Sequence, residues 1–354
     1  MTITIDCRML DASGVGVYLR ECLPYFLASS RRFVLLGEPA RLTALSKNRR
    51  DVQVLACAIK PFSIKELFLF PPALLEKINN TDLFYSPYFN IPGGIIVPVY
   101  ATIHDIIFPD MPELTSRLGL MARMWFYRRA FHRSKKIFTV SQFSRSRIQH
   151  YAGAAPPVVV THIAIQPYLL KESAPMNKTN TILFIGNIKR HKGLWCLIEA
   201  FFQARTEGLT HKLVIVGEKN NFRSADTESL KKLGKADDSS VEFTGFISNE
   251  KLKTLLAQAA LLVQPSLYEG FGLPPLEAMV SGTAALVSDI PVFREIYADF
   301  PVTFFRVGDS ADLKEKLLSL LRGRDAPRVA LTETIRGRYT FEKTASIILR
   351  ELTL

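Results

Sequence analysis

Short runs rich in Val, Ile, Leu and Phe alternate with helical patterns along the chain, and this alternation occurs twice in series. The first series predicts strands at Thr2–Cys7, Arg32–Gly37, Val52–Ala56, Leu83–Ser86, Val97–Ile103, Lys136–Val140 and Val158–Thr161, with helices between them such as Val17–Ala28 and Leu118–Arg133. The second predicts strands at Thr181–Ile185, Lys212–Val216, Val241–Thr244, Ala260–Gln264, Ala284–Ser288 and Val302–Phe305. Near-continuous apolar strands need cover on both faces, which is the pattern of parallel sheets flanked by helices. Two such α/β units in 354 residues predict two Rossmann-like domains facing across a cleft, at 1–165 and 181–340. Residues 166–180 are polar, carry Pro167 and Pro175 and show no apolar period, so they read as a hinge. An amphipathic helix pattern, 341–354, ends the sequence.

Other classes are argued against by simple features. No run of eighteen apolar residues is present, so no transmembrane helix is expected, and the first residues read as a strand rather than a leader. A cytoplasmic protein is the expectation. The four cysteines, Cys7, Cys22, Cys57 and Cys196, form no C-x-x-C pair and have no histidines at metal spacing, so they read as buried thiols. The net charge is +12, and residues 1–165 hold 20 Lys and Arg against 11 Asp and Glu. An anionic partner follows: a phosphorylated substrate, an anionic membrane surface or nucleic acid. No helix-turn-helix, zinc finger or aromatic RNA-binding signature supports the last.

Four constellations carry chemistry. In Pro265–Met279 two glutamates, Glu269 and Glu277, stand eight positions apart around the Gly/Pro turn 270–275, with a strand before and a helix from about Pro275 to Ser281 after. A helix start offers N–H groups to an anion, and a carboxylate accepts sugar hydroxyls. The turn Gly186–Gly193 carries Lys189, Arg190 and Lys192 ahead of a helix, where cations oppose the helix dipole unless they serve an anion. His104 and Asp105 end a predicted buried strand, and Asp105 either orients His104 or caps the following turn. Gly14 and Gly16 lie between the first strand and the first helix, and Leu19 replaces the third glycine of a dinucleotide fingerprint. A basic stretch, Arg117 to Lys136, interleaves arginines with Met121, Met124, Trp125, Phe126 and Tyr127, near the apolar segment Phe62 to Phe70. It reads equally as a face for an anionic bilayer and as core aromatics with solvated arginines.

The stretch Glu269-Gly270-Phe271-Gly272-Leu273-Pro274 with Glu277-Ala278-Met279 closely resembles the E-x7-E signature of the retaining glycosyltransferases of family 4, which have the GT-B fold. The resemblance covers almost the whole chain and implies that the closing helix crosses back to the N-terminal domain. It also implies roles. Glu277 would hold the donor ribose, and Glu269 the transferred sugar with the backbone of Gly270, Phe271, Gly272 and Leu273. Lys192 would clamp the diphosphate. The family often has arginine where Asn187 stands, with Lys189 or Arg190 as substitutes, and frequently another at Val17. Gly14 and Gly16 would border the donor phosphate, and His104 the reaction centre. Phe246 and Ile247 would read the base, with Gly217-Glu218-Lys219 near the ribose or phosphate, and Asn90, Ser141 and Asp105 would meet the acceptor.

The implied reaction is retaining transfer of a mannose- or rhamnose-type hexose from a GDP-, UDP- or dTDP-linked donor to a lipid-linked or oligosaccharide acceptor, as in bacterial surface polysaccharide synthesis. No cofactor is implied. No D-x-D ends a strand, and Asp237-Asp238 reads as a solvated loop, so no metal is expected. A sugar-nucleotide epimerase or hydrolase, and a non-catalytic relative, are the alternatives.

Overall fold

The computed structural model describes residues 1–353 apart from 47, 48, 50, 154, 155, 172–175, 218–238, 324 and 326. It divides into two compact units, Met1–Ala164 with Tyr339–Leu354, and Ile165–Arg338. The second unit begins ahead of the segment read as a hinge: the short helix Pro167–Leu170 buries Leu169 in that unit.

Unit 1 is a seven-stranded sheet of β1 (Thr2–Asp6), β2 (Arg32–Gly37), β3 (Val52–Ala56), β4 (Leu83–Ser86), β5 (Val99–Thr102), β6 (Ser134–Thr139) and β7 (Val158–Val160), ordered β3-β2-β1-β4-β5-β6-β7. Every pairing is parallel. The central strands β4 and β5 are buried along their whole length, as their unbroken apolar character demands. On one face lies the helix Ser13–Leu27, whose Tyr18, Leu19, Leu23 and Phe26 pack with Phe341, Ala345 and Ile348 of the final helix, Phe341–Glu351. The chain thus returns to unit 1 at its end, where Lys136 reaches Glu351 at 2.8 Å. On the other face Phe84, Ile103 and Ile137 meet Ile78, Tyr127, Phe131 and Ile148.

Unit 2 is a six-stranded sheet of β8 (Thr181–Ile185), β9 (Lys212–Val216), β10 (Val241–Gly245), β11 (Leu261–Gln264), β12 (Ala284–Ser288) and β13 (Val302–Phe305), ordered β10-β9-β8-β11-β12-β13 and again parallel throughout. The helices Leu194–Thr206 and Ser310–Leu321 close one face through Leu197, Phe201, Leu313 and Leu317. Both sheets are α/β Rossmann-like layers whose strand order reverses at one place, between β1 and β4 and between β8 and β11. The crevice beyond the carboxyl ends of those strands is where such sheets take ligands.

Candidate active site

The loops after β8 and β11 converge at the switch point of the second sheet. The Leu267 N–H donates to the His191 carbonyl at 2.7 Å, tying one loop to the other. The contact needs a glycine: Gly193 is left-handed (φ 64°), and a Cβ there would lie 2.0 Å from the Pro265 carbonyl oxygen. Gly193→Ala must therefore accept left-handed backbone strain of about 1–2 kcal/mol and push the two loops apart. Calorimetry of the variant is expected to show a melting midpoint lowered by several degrees.

Separation of these loops would break the central pair. The Lys192 ammonium lies 2.7 and 2.8 Å from the two Glu269 carboxylate oxygens. Ser266 donates its hydroxyl to Glu269 Oε1 at 2.8 Å, and Gln264 donates Nε2 to the same oxygen at 3.3 Å. Burial works against the Glu269 charge, but Lys192 and these donors outweigh it and hold the carboxyl below its ordinary value. His191 is pushed down to about 4 by burial and by Lys192, so its ring is neutral at pH 7. Ser266 and Gln264 escaped the sequence reading. The available signal was an amide ending an apolar strand, five residues ahead of Glu269, and the structure buries it fully. Gln264 Oε1 is itself buried without a hydrogen-bond partner.

Glu277 lies in the helix Leu273–Val280 and is 6% exposed. No hydrogen bond to its carboxylate is found among the described residues, and burial pushes it up to about 7. The helix starts two residues earlier than expected because Pro274 and Pro275 fit its first turn, where a missing N–H removes no helical bond. The donors of this helix start are therefore those ahead of Pro274. Gly272 makes the entry possible: it is left-handed at φ 87°, and a Cβ would come within 2.3 Å of the Phe293 ring.

Lys189 and Arg190 are exposed beside this site and Asn187 is half-buried. Phe246 follows the left-handed Gly245 with 76% of its surface open, and Ile247 is half-buried. Gly217 bridges to Gly245, whereas Glu218, Lys219, Asp237 and Asp238 lie outside the described residues.

Residues 168–337 match the family model described as glycosyl transferases group 1. That match lies within the second unit. Among curated relatives, the O-antigen chain mannosyltransferase RfbU of Salmonella typhimurium is 28% identical over 229 residues, covering 63% of this chain and 60% of that protein. The O-antigen chain mannosyltransferase B of Escherichia coli is 28% identical over 235 residues, covering 61% and 59%. The chain thus matches about three fifths of the length of these relatives. Anabaena Alr3699/HepE, solved with UDP and glucose, superposes with a TM-score of 0.73 at 18% identity, covering 99% of each chain. Sucrose-phosphate synthase from Thermosynechococcus elongatus gives 0.71 at 16%, covering 99% and 98%. Both likenesses show the fold, which is GT-B.

Unit 1 lies wholly outside the match to the group 1 model, and its candidate residues divide by geometry. His104 follows β5, with its ring edge-on to Tyr18 at 4.8 Å and Nε2 3.0 Å from the Pro87 carbonyl. A carbonyl only accepts, so Nε2 carries the proton and Nδ1 keeps a lone pair. Burial pushes this histidine down to about 4, partly offset by the Pro87 bond. The ring is thus a neutral acceptor at pH 7.

Asp105 accepts the Ile107 N–H at 3.3 Å, which is the turn-capping role of the two considered. Ser141 is buried and caps the helix Gln142–Ala152 by accepting the Ser144 N–H at 3.0 Å. Asn90 is 1% exposed, and its amide donates to Asp6 at 3.1 Å and Glu66 at 3.0 Å. Those carboxylates also hold Arg8, at 2.5 and 2.6 Å. Asn90 and Ser141 therefore brace the loops that carry them.

The expected start of the first helix is corrected. The first helix begins at Ser13, not Val17, so Gly14 and Gly16 are helical. A Cβ on Gly16 would lie 2.2 Å from the Leu10 carbonyl oxygen, so close packing against the preceding turn explains that glycine, while the space beside Gly14 is open.

Proposed function

We propose that the chain is a retaining, metal-independent glycosyltransferase of family 4 that moves a hexose, mannose-type favoured, from a nucleotide-diphosphate sugar to a hydroxyl of a lipid-linked or oligosaccharide acceptor. The observation that carries the reading is the switch-point pairing of two unlike carboxylates. Glu269 is charged and saturated by Lys192, Ser266 and Gln264. The Glu277 carboxylate is buried and has no hydrogen-bond partner among the described residues. A donor supplies what each lacks. Its diphosphate draws Lys192 and frees Glu269 to accept a sugar hydroxyl. Its ribose diol offers two donors to Glu277. The N–H groups ahead of Pro274 face the anion, and Phe246 offers a ring to the base. As the glycosidic bond breaks, negative charge grows on the leaving diphosphate, and Lys192 stabilises it. The acceptor hydroxyl enters from the face of departure, through an oxocarbenium-like transition state. His104, neutral with its Nδ1 lone pair, is the unit 1 group assigned to a sugar hydroxyl.

The mannosyltransferase names of the curated relatives favour mannose. A panel of GDP-mannose, UDP-glucose, UDP-N-acetylglucosamine and dTDP-rhamnose, without added metal, tests this by thermal shift. One donor should raise the midpoint of the wild type and not that of Glu277→Ala. A folded sample indifferent to every donor and free nucleotide would overturn the enzyme reading.

A lipid-linked acceptor calls for a membrane-facing surface, and unit 1 offers one. Leu118, Met121 and Trp125 are exposed along one face of the helix Arg117–Arg133, and Ile64, Phe68, Leu69 and Ile96 are exposed nearby. The elements are laced together: the Gly93 N–H donates to the Glu66 carbonyl at 2.9 Å, and Arg129 donates to the Ile91 and Pro92 carbonyls at 3.2 Å. Tyr127 and Phe131 are core, so only part of the basic aromatic stretch faces outward. Exposed Lys65, Arg117 and Arg128 flank the apolar side chains, a combination suited to an anionic bilayer. Among the described residues no helix is long and apolar enough to cross a membrane. Vesicles of phosphatidylglycerol, but not phosphatidylcholine, should sediment the protein. Met121→Asp with Trp125→Asp should release it, and equal sedimentation with both lipids would reject the surface.

A further inference from the structure

Unit 1 carries a strip of aromatic rings that reaches His104 from the exposed apolar face of the helix Arg117–Arg133. Trp125, Phe126, Phe62, Tyr88 and His104 follow one another at ring separations of 5.1, 5.0, 5.6 and 6.2 Å. Trp125 is exposed and the other four are half-buried, so the strip has an open front. Its back is solid. Buried Phe89 lies 4.9 Å from Phe62 and 4.3 Å from Tyr88, and stacks on buried Tyr127 at 4.4 Å.

Two features mark the strip as more than packing. The first is strain. Phe62 is left-handed at φ 62°, a conformation that bulky side chains rarely adopt. Buried Glu66 holds it there: Oε2 accepts the Phe62 N–H at 2.5 Å, and Oε1 lies 2.6 Å from Arg8. Strain of this kind persists where the surroundings over-determine it, and it collects at ligand sites. Here it sets the Phe62 ring between Phe126 and Tyr88. The second is a cation. Arg123 precedes Phe126 by three positions and so shares its face of the helix. Its guanidinium lies over the Phe108 ring at 4.1 Å, and Nη1 donates to the Thr115 hydroxyl and the Gly119 carbonyl, each at 3.0 Å. Nε and Nη2 have no hydrogen-bond partner among the described residues, and neither has the Tyr88 hydroxyl. Burial and the Asp105 charge push that hydroxyl up, with Arg123 as partial offset, so it keeps its proton and can donate.

We propose, resting on the lipid-linked acceptor argued above, that the acceptor lies along this strip: a lipid phosphate bearing a short glycan, its chain on Trp125, Phe126 and Phe62, its phosphate between Arg123 and the Tyr88 hydroxyl, and its sugar at His104. An arginine fork and a neutral hydroxyl suit phosphate oxygens, and aromatic rings suit an apolar chain. Asp105 follows His104 in the chain, so its carboxylate stands at the sugar end, where hydroxyls donate to it. Tyr88 is one ring contact from His104. The sugar next to the phosphate is therefore the one extended, and the transfer comes early in the building of the glycan.

Farnesyl phosphate is the probe, titrated below its micellar concentration into the full chain. It should bind saturably by calorimetry and change the emission of Trp125, a change absent from Trp125→Phe. Inorganic phosphate should bind at least about tenfold more weakly, for want of the rings. Arg123→Gln should weaken farnesyl phosphate about tenfold or more, and Tyr88→Phe several-fold. Phe62→Gly removes a ring at a conformation that glycine adopts without strain, and should weaken it as well. Lys192→Met should leave the affinity unchanged, because the phosphate sits in unit 1. The nucleotide sugar that stabilises the wild type should stabilise Arg123→Gln and Tyr88→Phe equally. Binding weakened by Arg123→Gln, in a chain that no nucleotide sugar stabilises, would keep this lipid phosphate site and reject the transferase reading. Absence of saturable binding, affinity untouched in Arg123→Gln, Tyr88→Phe and Phe62→Gly, or affinity lost only in Lys192→Met, would overturn the proposal.

Discussion

Replacing Lys192 with methionine is expected to lower kcat/KM for the donor by about a hundred- to a thousandfold, the usual loss when one preorganised group facing developing charge is removed. The ammonium has two jobs in this geometry. Without donor it neutralises Glu269, at 2.7 and 2.8 Å. In the proposed reaction it would meet a diphosphate whose negative charge grows as the glycosidic bond breaks, which would make its contribution largest in the transition state. The two jobs can be separated. Glu269 is held below its ordinary value, so its ionisation stabilises the fold above the unfolded carboxyl range, and that stability is lost as pH falls through the folded value. Without Lys192 the folded value rises, and acid unfolding of the variant should begin at higher pH. Lys192→Met with Glu269→Gln removes the stranded carboxylate and should restore acid stability while activity stays low. Recovery of activity along with stability would show that the pair is only structural, and a single variant with near-normal kcat/KM would reject the clamp.

Much of this site is legible in the sequence because its parts are local. Glu269, Glu277 and the prolines between them sit on one strand-turn-helix unit, and a short sequence window specifies such a unit. Both sheets are legible for the same reason, since unbroken apolar runs leave few options besides strands covered on two faces. What the sequence hid is long-range pairing. Lys192 and Glu269 are 77 positions apart, and only the neighbouring of β8 and β11 brings them together. Gln264 looked like the last residue of a strand, and its role exists only because the turn after it folds Glu269 back within 3.3 Å. The glycines of the first helix hid a packing reason instead. A G-x-G after a strand suggests a phosphate loop, yet Gly16 answers to the Leu10 carbonyl. Asn90, a polar residue in a loop after a strand, likewise suggested a ligand contact, although two buried carboxylates and Arg8 claim its surroundings. Loop polarity alone does not tell a ligand contact from a brace.

Glu277→Gln should make the free protein more stable and a worse binder at the same time. Burial raises the Glu277 carboxyl to about 7. The folded chain therefore keeps this proton in the window from about 4.5 to about 7, where the unfolded chain has lost it. The sign follows: this group favours the unfolded state increasingly as pH rises through that window, and its full penalty is present above about 7. Glutamine carries no such penalty, so the free variant should melt several degrees higher than wild type at pH 8 and at nearly the same temperature at pH 4. Donor binding runs the other way. In the proposed role a ribose diol donates to the carboxylate, so affinity should rise with pH and level off above about 7. At pH 6 about a tenth of the free sites are ionised, and wild-type affinity should be about tenfold below its plateau. Glutamine should flatten this profile. It should also weaken binding at pH 8 by about ten- to a hundredfold, the value of charge-assisted bonds over neutral ones. A structural glutamate gives the opposite pair of results: a variant destabilised at pH 8, with donor affinity that still follows pH. Melting and donor titration at pH 4, 6 and 8 therefore decide whether the buried charge of Glu277 exists for the fold or for a ligand.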